Sequence, residues 1–362
     1  MWYNIDMPSK RTMKKPERHF FYISLLNVIS ALSVVMLHAN GAFWHYREGR
    51  NWAVNNVIEC VFYFAVPIFF MLTGATLFDY QKRYDTKTFF KRRFTKIIIP
   101  FVVWSIFGVF YYSVIQGNGW DLNLSNMFNA LVSGSYVGIF WFFPPLICIY
   151  LAIPLMASIE EKKKMKVMQY IAVVGLILNI VVPFLIALCN RFLHTTFEWP
   201  YAINFMSGYI LYSVIGYLLH NYKLVKKQRL IIYALAIIGL LVHIVGTYIL
   251  SRRVGHVDML FKEYLNLPCM LYSVGIFVFF KQLANSKKLV SAIKRPVLFL
   301  QKYTFAIYLL HSFAISEFIK FSGLDPDRLL YVILAFVFTV PVCVIITFLI
   351  RKIPKVGKYI LP

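Results

Sequence analysis

The chain has few acidic residues and few charged residues of any kind. Of its 362 residues, 15 are Asp or Glu and 38 are Lys or Arg, so only 15% are charged and the formal net charge is +23. Soluble domains carry about 25% charged residues. This chain is instead 60% hydrophobic, with a mean hydropathy of +0.66. The composition excludes a chain built mainly of soluble domains and indicates a polytopic membrane protein.

Cysteine is also scarce. The five cysteines are scattered singly inside apolar stretches, and no CxxC or Cys/His spacing occurs. We therefore expect neither a metal site nor a disulfide. The first apolar run has no small-residue cleavage site after it, so it is interpreted as a retained helix and not as a signal peptide.

Apolar runs of roughly 16–25 residues, the length that crosses a bilayer, predict an all-α protein with about ten transmembrane helices. They lie at about 20–43, 57–78, 97–116, 139–157, 167–189, 203–219, 230–250, 265–280, 297–319 and 329–350. The predicted organisation is a basic segment at 1–19, a membrane domain at 20–350 and a basic tail at 351–362. The stretch 121–138 is interpreted as a re-entrant or interfacial helix.

The distribution of basic residues predicts the orientation. If the N-terminus is cytoplasmic, 30 of the 38 Lys and Arg residues fall in inside segments and eight in outside segments. Short loops rich in Lys and Arg stay cytoplasmic. Both termini are therefore predicted to lie on the cytoplasmic side of the plasma membrane. Basic residues beside membrane helices lie against anionic lipid headgroups, which explains the net charge without nucleic acid.

A histidine near the end of the first apolar run, His38, is the first candidate for function. Ser24, Asn27, Ala31 and Val34 share its face of the predicted helix. An ionisable residue at membrane depth is costly and indicates function, although a stripe of small and polar residues also marks a packing face. From this pattern alone, a packing histidine and a catalytic one stay equally open.

Glu59 enters the second predicted helix at a depth similar to that of His38. A carboxylate within reach would orient the imidazole and raise its basicity. The alternative is a headgroup-level residue that faces water. Pro67 is expected to kink this helix.

Basic residues cluster where the third helix begins, at Arg92, Arg93 and Lys96. Part of this signal is the ordinary excess of positive charge inside. The remainder suits a polyanionic ligand, because Arg holds phosphates in a bidentate fork.

The opposite half of the membrane holds Trp141, Tyr308 and His311 together with His38. For Trp141 the alternative is the common interfacial aromatic belt. The helix rises about 27 Å from Phe20 to His38 at 1.5 Å per residue. The two groups are thus nearly a membrane apart, which suits a long, phosphate-headed donor whose reactive end reaches across.

Ordered sequence blocks carry a family resemblance. They are the helix ending in "VVMLH", then "AVPIFFMLTGATLF", "KRRFTKIIIPFVVW", "WFFPPLICIYLAIP" and "TFAIYLLH". In that order they resemble the acyltransferase-3 family of integral membrane O-acyltransferases, which modify cell-surface glycans and related molecules. His38, Arg92, Arg93 and Pro100 stand at matching motif positions.

The resemblance implies acyl-CoA, most often acetyl-CoA, as a cytoplasmic donor substrate and no tightly bound cofactor. Arg92 and Arg93 would bind its phosphates, with Lys96 and Asn27 completing the donor site. His38 would act as general base on an acceptor hydroxyl or carry the acyl group transiently. The acceptor would be a surface glycan or lipid-linked sugar, with Trp141, Tyr308 and His311 as acceptor-site candidates. Because no fused extracellular esterase-like domain is expected, either the acceptor is acylated directly or a separate extracellular partner finishes the transfer.

Two positions depart from the family pattern: Asn27 stands where the family commonly has Arg, and Pro67 where it has an acidic residue. Glu59 is our own candidate for the missing carboxylate. A transporter or flippase of a lipid-linked or polyanionic substrate is the alternative function. It is disfavoured because the sequence has no internal repeat and no paired broken helices.

Overall fold

The computed structural model describes residues 20–117, 137–201 and 208–362 together with positions 125 and 128, and these residues form helices and no β-strand. The α-helices are α1 (Phe21–Ala39), α2 (Arg50–Phe62), α3 (Ala65–Leu77), α4 (Thr86–Arg93), α5 (Ile99–Phe110), α6 (Phe143–Ala157), α7 (Glu161–Leu176), α8 (Val182–Phe192), α9 (Ile210–Asn221), α10 (Lys226–Val254), α11 (Leu267–Leu283), α12 (Lys287–Gln301), α13 (Thr304–Ser322), α14 (Leu329–Arg351) and α15 (Gly357–Ile360). The predicted all-α class is confirmed.

Eight helical stretches in the described part of the chain are long and apolar enough to cross a membrane, or nine if the pair α11 and α12, bent by 107°, forms one span. The sequence predicts about ten. The helix predicted at 203–219 appears as α9, which has 12 residues and rises about 18 Å, short of the bilayer core of about 30 Å. The first part of the predicted helix, 203–207, lies outside the described residues, as does nearly all of the proposed re-entrant stretch 121–138.

The helix predicted at 297–319 is wrong in its boundaries. The structure ends α12 at Gln301 and starts α13 at Thr304. Helix α12 begins ten residues earlier than the predicted span, and its first half is rich in lysine. Hydropathy merged the two helices because only Gln301 and Lys302 separate their apolar residues.

The second predicted span is divided as Pro67 requires. Helix α2 ends at Phe62 and α3 begins at Ala65. Proline has no N–H for the carbonyl four residues earlier, here that of Tyr63, and its ring clashes with that carbonyl. The helix is thus interrupted one turn before Pro67, at Tyr63 and Phe64. The span starts at Arg50 and not near residue 57, because its first turns are polar and escape a hydropathy search.

The third span is helical from Thr86 to Ile115, eleven residues longer at its start than predicted. The Asp85 side chain caps this helix by accepting a hydrogen bond of 2.9 Å from the Thr88 N–H. Two π-helical segments interrupt it, Phe94–Ile98 and Tyr111–Ile115. Such segments occur frequently at functional sites, and the first follows Arg93 directly.

Helix α1 lies at the centre of the bundle, in contact with α2, α3 and α11 to α14. Its small polar residues, such as Ser24, Ser30 and Ser33, are buried in these contacts. Small residues let membrane helices approach closely. The packing therefore fixes the helix that carries His38 from several sides.

Candidate functional site

His38 faces a cavity near the end of α1. Its side chain is exposed, whereas its neighbours Leu37 and Ala39 are buried. The cavity has a volume of about 200 Å³, and we call it the His38 cavity. Its lining residues are Val34, Leu37, His38, Trp44, Glu59, Tyr63, Val66, Phe69, Ile139, Trp141, Phe142, Tyr264 and Tyr308. Four of the residues selected from the sequence, His38, Glu59, Trp141 and Tyr308, thus line one space.

His311 lies behind His38 and is fully buried. The two imidazole ring centroids are 5.0 Å apart. His311 Nδ1 lies 3.0 Å from the Ile307 carbonyl oxygen. Because that oxygen only accepts, a neutral His311 carries its proton on Nδ1 and leaves Nε2 as an acceptor. Within the described residues this Nε2 has no hydrogen-bond partner, so His311 presents an unused acceptor next to the ring of His38.

Aromatic side chains form much of the cavity wall. The Tyr308 hydroxyl donates to the carbonyl of Ile139, which ties α13 to the 3-10 segment Gly138–Phe142. Trp141 stacks on Tyr264 with centroids 5.6 Å apart. Tyr264 stacks in turn on Tyr63 at 4.0 Å. These contacts leave a rigid aromatic enclosure around the imidazole.

Glu59 lines the His38 cavity but makes its hydrogen bonds to residues other than His38. Its Oε2 accepts from Asn40 Nδ2 at 3.1 Å, and its Oε1 accepts from Lys262 Nζ at 3.0 Å. The structure thus pairs Glu59 with a lysine and gives His38 a second histidine as its ring neighbour.

A second cavity, of about 250 Å³, begins at Arg93, and we call it the Arg93 cavity. Its lining residues are Ile23, Asn27, Phe69, Leu72, Thr73, Thr76, Leu77, Arg93, Ile97, Phe142, Leu146, Tyr150, Thr304, Phe305 and Tyr308. Arg93 is half-buried, and among the described residues its buried Nε has no partner. Asn27 Nδ2 donates to Thr304 Oγ1 at 3.1 Å.

The neighbouring basic residues point away from this cavity. Arg92 is exposed, and its guanidinium lies over the ring of Tyr84 at 4.4 Å. Lys96 is also exposed, and neither residue lines the Arg93 cavity. Adjacent positions on a helix are about 100° apart, so Arg92 and Arg93 cannot share one direction.

The two cavities share three wall residues: Phe69, Phe142 and Tyr308. The first side chain comes from α3, the second precedes α6 and the third comes from α13. The two cavities are therefore neighbours, and the same three aromatic side chains stand between Arg93 and His38.

A family model described as an acyltransferase domain matches residues 20–348. The chain belongs to the acyltransferase-3 family. Searches of curated proteins and of solved structures find no match. The family match and the apolar helices together make this protein a multi-pass membrane acyltransferase, and both cavities lie within the matched residues.

Sequence reasoning missed Lys262 of this acyltransferase. The residue lies between α10 and α11, is fully buried, and points its ammonium at Glu59. One weak signal was present: Lys262 is among the few basic residues predicted to lie outside, against the prevailing charge bias. Nothing in its neighbourhood "DMLFKEYLNL" indicates that the side chain turns inward.

No group of three or more His, Cys, Asp or Glu side chains that could hold a metal ion occurs in the part of the acyltransferase that the structure describes. The rings of His38 and His311 lie side by side, and the carboxylate of Glu59 lines the same cavity as His38. Two neighbouring imidazoles beside a carboxylate can accept and pass on a proton, which is the chemistry of a general base.

Proposed function

We propose that this acyltransferase moves an acyl group, acetyl in the simplest case, from cytoplasmic acyl-CoA to a hydroxyl of a surface glycan or lipid-linked sugar. We place it in the plasma membrane with both termini in the cytoplasm. The observation that carries the proposal is a pair of neighbouring cavities, one lined by Arg93 and the other by His38, that share Phe69, Phe142 and Tyr308.

The donor's phosphates bind at Arg93. A buried N–H without a partner costs about 1–3 kcal/mol, and Arg93 Nε is such a group among the described residues. A phosphate oxygen satisfies it and adds a charge-assisted hydrogen bond. Arg92 and Lys96, at the exposed surface, contribute a positive field that attracts the donor. Asn27 lines the path that the pantetheine arm follows.

In the His38 cavity, His38 takes the proton of the acceptor hydroxyl while the oxygen of that hydroxyl attacks the thioester carbonyl carbon. The C–S bond breaks, the ester C–O bond remains, and the imidazolium returns the proton to the sulfur to give free CoA thiol. In the alternative route His38 attacks first, becomes an acyl-imidazole, and passes the acyl group to the hydroxyl. Both routes balance with the same products.

The remaining site residues support His38. The ring centroid of His311 lies 5.0 Å from that of His38 and limits the orientations of the His38 ring. The Tyr308 hydroxyl fixes the cavity wall through its hydrogen bond to the Ile139 carbonyl. Trp141 offers an aromatic surface on which the face of a sugar packs. The cavity volume of about 200 Å³ favours a short acyl chain over a long one.

The test is mass spectrometry of cell-envelope glycans from cells that express the protein or the His38→Ala variant. We expect one acyl unit per modified sugar with the native protein and none with the variant. His256→Ala is a matched control, because His256 is exposed and lines neither cavity. Full acylation by membrane-inserted His38→Ala protein would refute the role of His38.

A further inference from the structure

Lys262 is buried to a degree that is unusual for a lysine. Its side chain has no exposed surface, and its Nζ lies 3.0 Å from Glu59 Oε1. The ammonium also lies over three aromatic rings, 3.7 Å from the centroid of Tyr63, 4.3 Å from Trp44 and 4.9 Å from Phe43. A buried charge is tolerated only when it is paired, and aromatic faces attract cations. The ammonium of Lys262 is therefore stabilised by one carboxylate and three aromatic rings.

The partners of Lys262 belong to the wall of the His38 cavity. Glu59, Tyr63 and Trp44 all line that cavity, whereas Lys262 itself does not. One ammonium thus holds three wall residues from behind. Trp44 is otherwise largely exposed, so the cation is a main constraint on its ring.

The pair also reaches the helix that carries His38. Glu59 Oε2 accepts from Asn40 Nδ2 at 3.1 Å, and the same amide donates to the Asn55 carbonyl at 2.9 Å. Asn40 is the C-terminal cap of α1, two residues beyond His38. Fixing Asn40 therefore fixes the last turn of α1, from which the imidazole projects.

We infer that Lys262 is a positioning residue for acyl transfer: it holds Glu59 and, through Asn40, sets the end of α1 so that His38 faces its cavity. The inference rests on the proposed function. Lys262 contacts neither cavity, and its role is to keep Glu59, Trp44 and Tyr63 in place. Glu59 then presents a fixed carboxylate oxygen to the space in which the His38 imidazolium forms.

The variants Lys262→Met, Lys262→Arg and Glu59→Gln with Lys262→Met test this, in purified protein reconstituted with acetyl-CoA and a glycan acceptor mixture. A small misplacement of a catalytic group costs about 100-fold in rate. We therefore expect turnover to fall about 100-fold in Lys262→Met while the dissociation constant for CoA stays within about twofold. Lys262→Arg, which keeps a charge that pairs with Glu59 and stacks on the rings, should retain at least about a tenth of native turnover.

Lys164 supplies the matched control. It is also buried and bonds to a carboxylate, with Nζ 2.7 Å from both the Phe78 carbonyl and Asp79 Oδ1, but it lines neither cavity. Lys164→Met should lower the thermal unfolding temperature, yet leave turnover per folded molecule within about twofold.

The double variant separates positioning from folding. Removing one member of a buried ion pair leaves a bare charge, whereas removing both does not, so the double variant should unfold at a higher temperature than Lys262→Met and still turn over about 100-fold slower than native protein. Native turnover in either Lys262→Met or the double variant would overturn the inference. If native protein transfers no acyl group, the proposed function fails. The unfolding temperatures of the single and double variants then still report whether Glu59 and Lys262 are coupled.

Discussion

Replacing Arg93 with Gln should weaken binding of the CoA donor far more than replacing Arg92 with Gln. The two residues are adjacent in sequence and identical in type. Arg93 lines the Arg93 cavity, whereas Arg92 is exposed and lies over the ring of Tyr84. The pair therefore forms an internal control, since both changes remove one positive charge from the same short helix α4.

The structure sets the size of the difference. A hydrogen bond to a charged group contributes about 1.5–3 kcal/mol, and each 1.4 kcal/mol changes a dissociation constant tenfold. Loss of the Arg93 contact should therefore raise the dissociation constant for CoA by about 10- to 150-fold. An exposed charge acts through water and contributes about 1 kcal/mol or less, so Arg92→Gln should raise the dissociation constant by no more than about fivefold.

Isothermal titration calorimetry of detergent-purified protein with CoA measures both values. Raising the salt concentration should reduce the smaller Arg92 effect further, because exposed charges are screened, and change the Arg93 effect less. Thermal unfolding of each variant checks that the fold is intact. Equal effects of the two variants, or a larger effect of Arg92, would refute the assignment of the donor phosphates to the Arg93 cavity.

Three further changes, and one control at Gly41, test the packing and the donor path. Gly74→Leu should lower the unfolding temperature by several degrees, because even a Cβ at Gly74 would lie 1.8 Å from the Ser213 carbonyl oxygen and overpacking costs about 1–3 kcal/mol or more. Gly41→Ala, with nothing within 4 Å, should not lower it. Phe142→Trp enlarges a side chain that both cavities share and should slow acyl transfer at least about tenfold; native turnover would contradict a donor path that passes Phe142. Tyr308→Phe removes the hydrogen bond to Ile139 and should reduce turnover more than donor affinity. A larger loss of donor affinity than of turnover would contradict the proposal that Tyr308 supports His38.

Much of the membrane architecture follows from the sequence because hydropathy is a local property. Long apolar runs and the effect of Pro67 on its helix need no knowledge of tertiary contacts, and the structure has both the long apolar helices and a break before Pro67. Boundaries are less accessible. The first turns of α2 and of the third span are polar and helical at once, so a search for apolar residues starts these helices too late.

The sequence predicts that four residues of the cavity wall lie at a similar depth in the membrane: His38, Glu59, Trp141 and Tyr308. It does not predict that they surround one cavity. Nor does it predict their partners. Which side chain meets Glu59 depends on how the segment between α10 and α11 folds back over the bundle, and no periodicity encodes that path. The sequence therefore does not predict the role of Lys262, and it pairs His38 with Glu59, whereas the ring next to His38 in the structure is that of His311.

The difference between Arg92 and Arg93 shows the same limit at the other end. A cluster of basic residues in a sequence predicts a charged surface but not which member turns inward. Helix phase decides this, because the two residues lie about 100° apart on α4, and the cluster itself does not show which of the two directions faces the bundle.

The most direct test of the central claim uses sealed inside-out membrane vesicles that contain the protein and its acceptor. Labelled acetyl-CoA is added to the medium, which faces the former cytoplasmic side. We expect label to appear on glycan in the vesicle lumen with native protein, and the rate to fall by about 100- to 10,000-fold with His38→Ala while CoA binding persists. Transfer by His38→Ala at the native rate, or transfer only when acetyl-CoA is sealed inside the lumen, would contradict a donor that reaches His38 across the membrane from Arg93.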